Sequence, residues 1–282
     1  MQVDSLIGDI VGRLKKTVGV QAIVLGGSYA TGSQRSDSDV DLGIYYQEGL
    51  DISQIRTMAT EINDFPNPVV TNLGEWGRWV NGGAWLTVKA QRVDLLYRDI
   101  GFVSQTIEDC LQGRRQSDYY QQPAYGFYSY MYCAETQICK ILHDPAGSIE
   151  ALKAQVAIYP EPLKQSIIQG FMWEAQFSLG HCKKSAERGQ VFITAGCLTR
   201  IANDLVQTVY ALNETYFLSE KRFQQDAQTF AIKPRDFTAR LEDILGGIGK
   251  TRDELLSAVS LLEGLFYELK TLCGDLYRPR YS

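Results

Sequence analysis

The sequence predicts an α+β protein in two parts: a mixed β-sheet with flanking helices over residues 1–115, then an all-helical bundle over residues 116–282. Three observations carry this. Short β-rich runs alternate with helical segments up to about residue 115, and beyond it the hydrophobic periodicity is helical almost throughout. Pro145, Pro160, Pro162, Pro234 and the Gly246-Gly247 pair punctuate that second half. At 282 residues the chain also exceeds what one hydrophobic core usually fills, so two domains are expected.

The elements follow in order. Residues 5–17 and 52–63 read as helices, and residues 22–25 as a short buried strand that stops at a Gly-Gly-Ser turn. From Asp39 onward Val40, Leu42 and Ile44 alternate with Asp39, Asp41 and Gly43, the period-2 pattern of a strand with one buried face. Residues 72–86, NLGEWGRWVNGGAWL, gather Trp76, Trp79 and Trp85 around Gly82-Gly83. They read as a hairpin whose aromatics plug a core, or as a stacking surface beside a site. RVDLLY, residues 92–97, is a further strand. Helices are expected over residues 125–142, 163–187, 192–213, 236–245 and 251–272.

The most informative stretch is GGSYATGSQRSDSDVDLGIYY, residues 26–46. Carboxylates two apart on a strand sit roughly 6.5 Å apart at the backbone and project from one face. From there they can converge on cations about 4 Å apart. Asp39 and Asp41 have no His or Cys nearby, which suits Mg²⁺ or Mn²⁺ better than zinc. Upstream, Gly26 and Gly27 let the backbone approach a ligand closely, and the turn amides with the Ser28 hydroxyl can bind phosphate oxygens. No Gly-Lys-Ser/Thr follows, so this is not a Walker A loop.

The whole run, a strand, Gly-Gly-Ser, a loop of about ten residues and Ser38-Asp-x-Asp-Leu, resembles the signature of nucleotidyltransferases related to DNA polymerase β. That resemblance implies a nucleoside triphosphate, ATP in the first instance, held with Mg²⁺ or Mn²⁺ by Asp39 and Asp41, with Gly26, Gly27, Ser28 and Ser38 around the phosphates. It implies a third acidic residue from a later strand, here Asp94, as a metal ligand or as acceptor of the proton from an attacking hydroxyl. That hydroxyl attacks the α-phosphorus and pyrophosphate leaves. Residues 74–99 also resemble a bacterial subgroup of nucleotidyltransferase-domain proteins with a Trp-Gly…Asn-Gly-Gly-Ala-Trp-Leu…Val-Asp-Leu run. Residues 211–223 are similar to a second stretch of that subgroup, in which Lys221 either reaches the triphosphate or is simply solvated. Some family members draw a general base from the second domain. Glu135, on the stripe of Met131, Ile138, Cys139 and Leu142, is the first candidate, with a buried structural pair as the alternative; Glu174 is the next. The helical bundle is expected to close over the metal face, as in antibiotic nucleotidyltransferases.

Composition narrows the partners. A net charge of −5 with scattered Lys and Arg argues against stable nucleic-acid binding and fits a cationic acceptor. No secretory signal or membrane-length apolar run is evident, so the cytoplasm is the expected compartment. The six cysteines lack Cys-x-x-Cys spacing and read as buried thiols. His143, read as the end of a helix, and His181 read as structural or exposed. Arg200, Asn203, Asp204 and Gln207 form one helical stripe, read as a solvated face or a cleft lining. The leading expectation is transfer of a nucleoside monophosphate to the hydroxyl of an aminoglycoside- or lincosamide-like small molecule. Transfer to a protein or RNA, and a nucleotide-binding regulator without turnover, are the alternatives. The oligomeric state is left open.

Overall fold

A computed structural model describes residues 2–121 and 124–280. The chain divides into two compact units, Met1–Asp109 with Gln116–Ile158, and Cys110–Arg115 with Tyr159–Ser282. In chain order the elements begin with α1 (Gln2–Leu14), β1 (Val20–Leu25), α2 (Gly27–Thr31), β2 (Val40–Tyr46), α3 (Ile52–Ile62) and β3 (Val69–Val70). Next come α4 (Gly77–Val80), β4 (Gly83–Val88), β5 (Gln91–Asp99) and α5 (Ile100–Leu111). The first unit is completed by β6 (Ser117–Asp118), β7 (Phe127–Tyr128), α6 (Met131–Ile138), β8 (Lys140–His143) and α7 (Ser148–Gln155).

Residues 116–158 belong to the first unit and residues 110–115 to the second. Residues 125–142 are not one helix: α6 stops at Cys139, whose backbone is extended, and the chain returns to the sheet as β8. His143 thus ends a strand, and the carboxylate of Asp144 after it accepts the amides of Ser148, Ile149 and Glu150.

Among the described residues the main sheet has six strands in the order β3-β4-β5-β2-β1-β8. All neighbours are antiparallel except β2 and β5. Alternation gives the sheet two distinct faces. Val40, Leu42 and Ile44 of β2, Val93, Leu95 and Tyr97 of β5 and Ala84, Leu86 and Val88 of β4 are buried in one core with the apolar stripes of α1 and α3. The other face carries Asp41, Gly43 and Tyr45 from β2, Asp94, Leu96 and Arg98 from β5, and Trp85 from β4.

The second unit is helical. Its long helices α8 (Glu161–Glu187) and α9 (Val191–Leu212) pack along each other, and both contact α12 (Arg252–Cys273); α10 (Phe223–Thr229) and α11 (Phe237–Gly246) lie between α9 and α12 in sequence. The second half of α9 is buried on every side, so the polar stripe read as a solvated face or a cleft lining is largely interior: Asn203, Asp204 and Gln207 are buried, and Arg200 alone of the four is exposed. No described helix is long and apolar enough to cross a membrane. The described cysteines form no disulfide; all are buried except Cys197, which is half-buried.

Asp204 is 2% exposed, and its Oδ2 has no hydrogen-bond partner. Burial first, then the charge of Glu174, pushes its pKa up to about 8, against the opposing pull of Arg200 and Arg115. A carboxyl whose folded pKa lies above its unfolded value of about 4 stabilises fully below that lower value. Its contribution is lost as pH rises through about 8. The thermal midpoint of the wild-type chain should thus fall relative to that of Asp204→Asn between about pH 4 and pH 8. Parallel melting curves for the two proteins across that range would count against a protonated Asp204.

Candidate active site

The site is built where β1 ends. The Gly26 amide donates to the Asp41 carbonyl at 2.8 Å, tying the glycine turn to β2. Gly27 has φ +56°, and a Cβ there would lie 1.8 Å from Asp41 Oδ2. Only glycine both adopts that backbone and leaves the carboxylate its place. The turn runs into the five-residue helix α2, closed by Gly32 at φ 73°. The Ser28 carbonyl accepts from the Ser33 amide at 3.0 Å and from the Thr31 hydroxyl at 3.2 Å.

The loop into β2 is held from both sides. Ser38 Oγ accepts from the Arg35 amide at 2.8 Å, and the Ser38 amide donates back to the Arg35 carbonyl at 3.1 Å. From β5, Gln91 Nε2 donates to the Ser38 carbonyl at 2.8 Å and Arg92 Nη2 to the Asp37 carbonyl at 2.9 Å. Asp39 sits one residue ahead of β2, rather than on the strand as its alternation suggests. Arg92 Nε lies 2.5 Å from Asp39 Oδ1. The contact is ionic without hydrogen-bond alignment, so Oδ1 is buried with no hydrogen bond.

Parallel pairing of β2 and β5 sets Asp41 directly opposite Asp94, on one face. Antiparallel pairing of β4 and β5 sets Trp85 opposite Asp94 on its other side. Burial raises the pKa of Asp94 and the charge of Asp39 raises it further, while Arg92 and a hydrogen bond from Trp85 oppose the shift. Trp76 stacks on Trp85 with centroids 4.2 Å apart and is 48% exposed. Trp79 plugs the core instead, stacked on Phe127 at 5.3 Å. Trp79 thus fills the core-plugging role, while Trp76 is partly exposed on Trp85.

The remaining sequence candidates belong to other elements. Glu135 belongs to the first unit, and its carboxylate receives Arg98 through Nε at 3.1 Å and Nη2 at 3.2 Å. Arg98 is four residues along β5 from Asp94, about 13 Å at strand rise. Glu174 and Lys221 belong to the second unit. Glu174 lies 3.5 Å from both Arg115 and Arg200, and Lys221 is an exposed residue of a 3₁₀ turn.

Two cations escaped the sequence reading. Arg92 lay inside the strand already recognised, but nothing local ties an arginine to a carboxylate 53 residues earlier. Lys140 Nζ donates to the Tyr29 carbonyl at 3.2 Å, because β8 pairs with β1 and sets Lys140 opposite Leu25. Reading residues 125–142 as a helix hid that neighbour.

The donor set fits a hard divalent cation. Asp39 Oδ1 is a buried oxygen without a hydrogen bond, and the missing Cβ of Gly27 leaves room at Asp41 Oδ2. Among the described residues no three His, Cys, Asp or Glu side chains already converge at ligating distance, and Asp39 is turned to Arg92. Closure around a cation would therefore exchange the Arg92 contact for a metal contact.

Residues 9–71 match the family model described as polymerase beta, nucleotidyltransferase. Residues 130–221 match a domain of unknown function, DUF4037. No curated protein matches the chain. A solved structure described as a nucleotidyltransferase-like protein from Exiguobacterium sibiricum 255-15 is 11% identical, with a TM-score of 0.48 over 92% of this chain and 72% of that one.

Arg98 is 6% exposed and depends on Glu135 for compensation. Glu135→Ala should cost about 3 kcal/mol in denaturant unfolding, near the low end for a buried pair because Glu135 is partly solvated. The double replacement Arg98→Met with Glu135→Leu should recover most of it. Equal losses from the single and double variants would contradict this pairing.

Proposed function

Residues 9–71 carry a nucleotidyltransferase domain of the DNA polymerase β superfamily, and from it we propose that the chain moves a nucleoside monophosphate, AMP from ATP in the first instance, onto a hydroxyl of a small molecule. The observation that carries this reading is the alignment of Asp41 with Asp94 across β2 and β5, with Asp39 beside them and Gly27 stripped of the Cβ that would displace Asp41.

Each group has a task under this proposal. Gly26 fixes the turn through its amide bond to Asp41, the turn amides at Gly27 and Ser28 approach the triphosphate, and Lys140 beside them adds positive charge. Ser38 and Gln91 hold the loop that presents Asp39. A divalent cation, Mg²⁺ or Mn²⁺, held by Asp39 and Asp41 would neutralise charge on the phosphates and on the entering and leaving oxygens. Asp94, whose affinity for a proton is raised by burial and by Asp39, takes the proton of the acceptor hydroxyl or serves as a further ligand. The hydroxyl oxygen forms a bond to the α-phosphorus, the bond to the β-phosphate oxygen breaks, and pyrophosphate leaves. The acidic balance of the chain, net −5, favours a neutral or cationic acceptor.

The test offers each α-³²P-labelled nucleoside triphosphate with Mg²⁺ to an aminoglycoside and lincosamide panel, to total RNA and to lysate protein. Label on a small molecule, reduced at least about a hundredfold by Asp39→Asn or Asp41→Asn, is the expected result. Label only on protein or RNA would replace the acceptor class, and transfer unaffected by either substitution would remove the site assignment. Gly27→Ala should fold yet lose transfer to a similar degree, since its Cβ takes the position of Asp41 Oδ2. Full activity in that variant would show that Asp41 need not stand where the structure has it.

A further inference from the structure

The proposed reaction uses Asp94 but leaves unexplained the aromatic pair at its side. Tryptophan is costly to expose, yet Trp76 is 48% exposed while its ring is held parallel to Trp85, with an interplanar angle of 23°. The segment carrying it is constrained. Gly74 N donates to Asn81 Oδ1 at 2.7 Å, Trp76 N donates to the Asn81 carbonyl at 3.1 Å, and Asn81 Nδ2 donates to Tyr46 OH at 2.8 Å. Asn81 itself adopts φ 67°, and Gly82 is closed against Thr71, where a Cβ would meet Oγ1 at 2.3 Å. A segment built this closely fixes the outward indole beside the carboxylates instead of leaving it to drift.

Trp85 stands directly opposite Asp94 in the ladder, so the stacked pair begins beside that carboxylate. A ring laid on an indole face presents its hydroxyls at its rim, the position Asp94 would read. Three carboxylates, Asp39, Asp41 and Asp94, outnumber the one arginine set against them, Arg92, and Glu75 is next to Trp76 in sequence, a balance that opposes an anionic acceptor. Resting on the nucleotidyl-transfer reading, we propose that Trp76 and Trp85 are the acceptor platform, and that the acceptor is a neutral or cationic hydroxyl-bearing ring that stacks on Trp76 with one ring hydroxyl turned to Asp94.

The experiment follows the four indole N–H signals of the uniformly ¹⁵N-labelled full chain, Trp76, Trp79, Trp85 and Trp173, assigned by single Trp→Phe variants. Ring probes are kanamycin, tyramine and methyl α-D-glucopyranoside; controls are spermidine, cationic without a ring, and glycerol 3-phosphate, an anion. At least one ring probe should shift Trp76 and Trp85 but not Trp173, and Trp76→Ala should weaken that binding by about five- to a hundredfold. The controls should leave both signals in place. No ring probe shifting the pair, or spermidine shifting it equally, overturns the proposal. Trp76 lies at the surface, so its replacement leaves the core intact. Asp39→Asn separates the two readings: ring binding should persist in it while transfer is lost. Transfer in the wild type without indole shifts would defeat the platform alone, whereas indole shifts without transfer anywhere would defeat the reaction alone.

Discussion

Everything at the site depends on the parallel pairing of β2 with β5. Every other ladder in the sheet is antiparallel, and this one sets Asp41, Gly43 and Tyr45 opposite Asp94, Leu96 and Arg98 in strict register. A slip of β5 by one residue would turn Asp94 into the core and Leu95 out of it, leaving Asp41 without its partner. The buried face made with α1 and α3 therefore locks the position of the chemistry on the other face.

Gathering like charges has a cost, and the structure meets it locally. Arg92 stands against Asp39, and burial with the Asp39 charge raises the proton affinity of Asp94. Further along the same face the problem is reversed. There Arg98 is buried, and Glu135 from α6 compensates it with two hydrogen bonds. Its charge is spent on that guanidinium, which argues for an architectural part in place of proton transfer. The two ends of one strand face thus hold an acidic cluster with Arg92 against it and a buried Arg98–Glu135 ion pair.

Much of this was legible in the sequence because it is local. The Gly26-Gly27-Ser28 turn, the alternation from Val40 to Ile44 and the Arg92–Tyr97 strand each follow from residues adjacent in the chain, and the long helices of the second unit follow from their periodicity. The failures share one cause, dependence on distant partners. Residues 125–142 carry a helical pattern, yet the edge of β1 recruits residues 140–143 as a strand. The polar stripe of α9 has the spacing of a solvated face, but packing against α8 and α12 buries three of its four members. The Arg92 and Lys140 contacts join residues far apart in sequence, and no local pattern announces them. Trp76 and Trp79, three residues apart, share one local pattern, yet the four-residue helix α4 sends one outward and one inward.

The most direct test of the central claim, that Asp39 and Asp41 hold nucleotide-bound cations on the face that Asp94 shares, is electron paramagnetic resonance of Mn²⁺ with a non-hydrolysable ATP analogue. The account predicts tight Mn²⁺ binding that requires the analogue and disappears in both Asp39→Asn and Asp41→Asn, while the Asp204→Asn chain binds as the wild type does. Mn²⁺ bound equally well by all four proteins, or by none of them in the presence of the analogue, would contradict it.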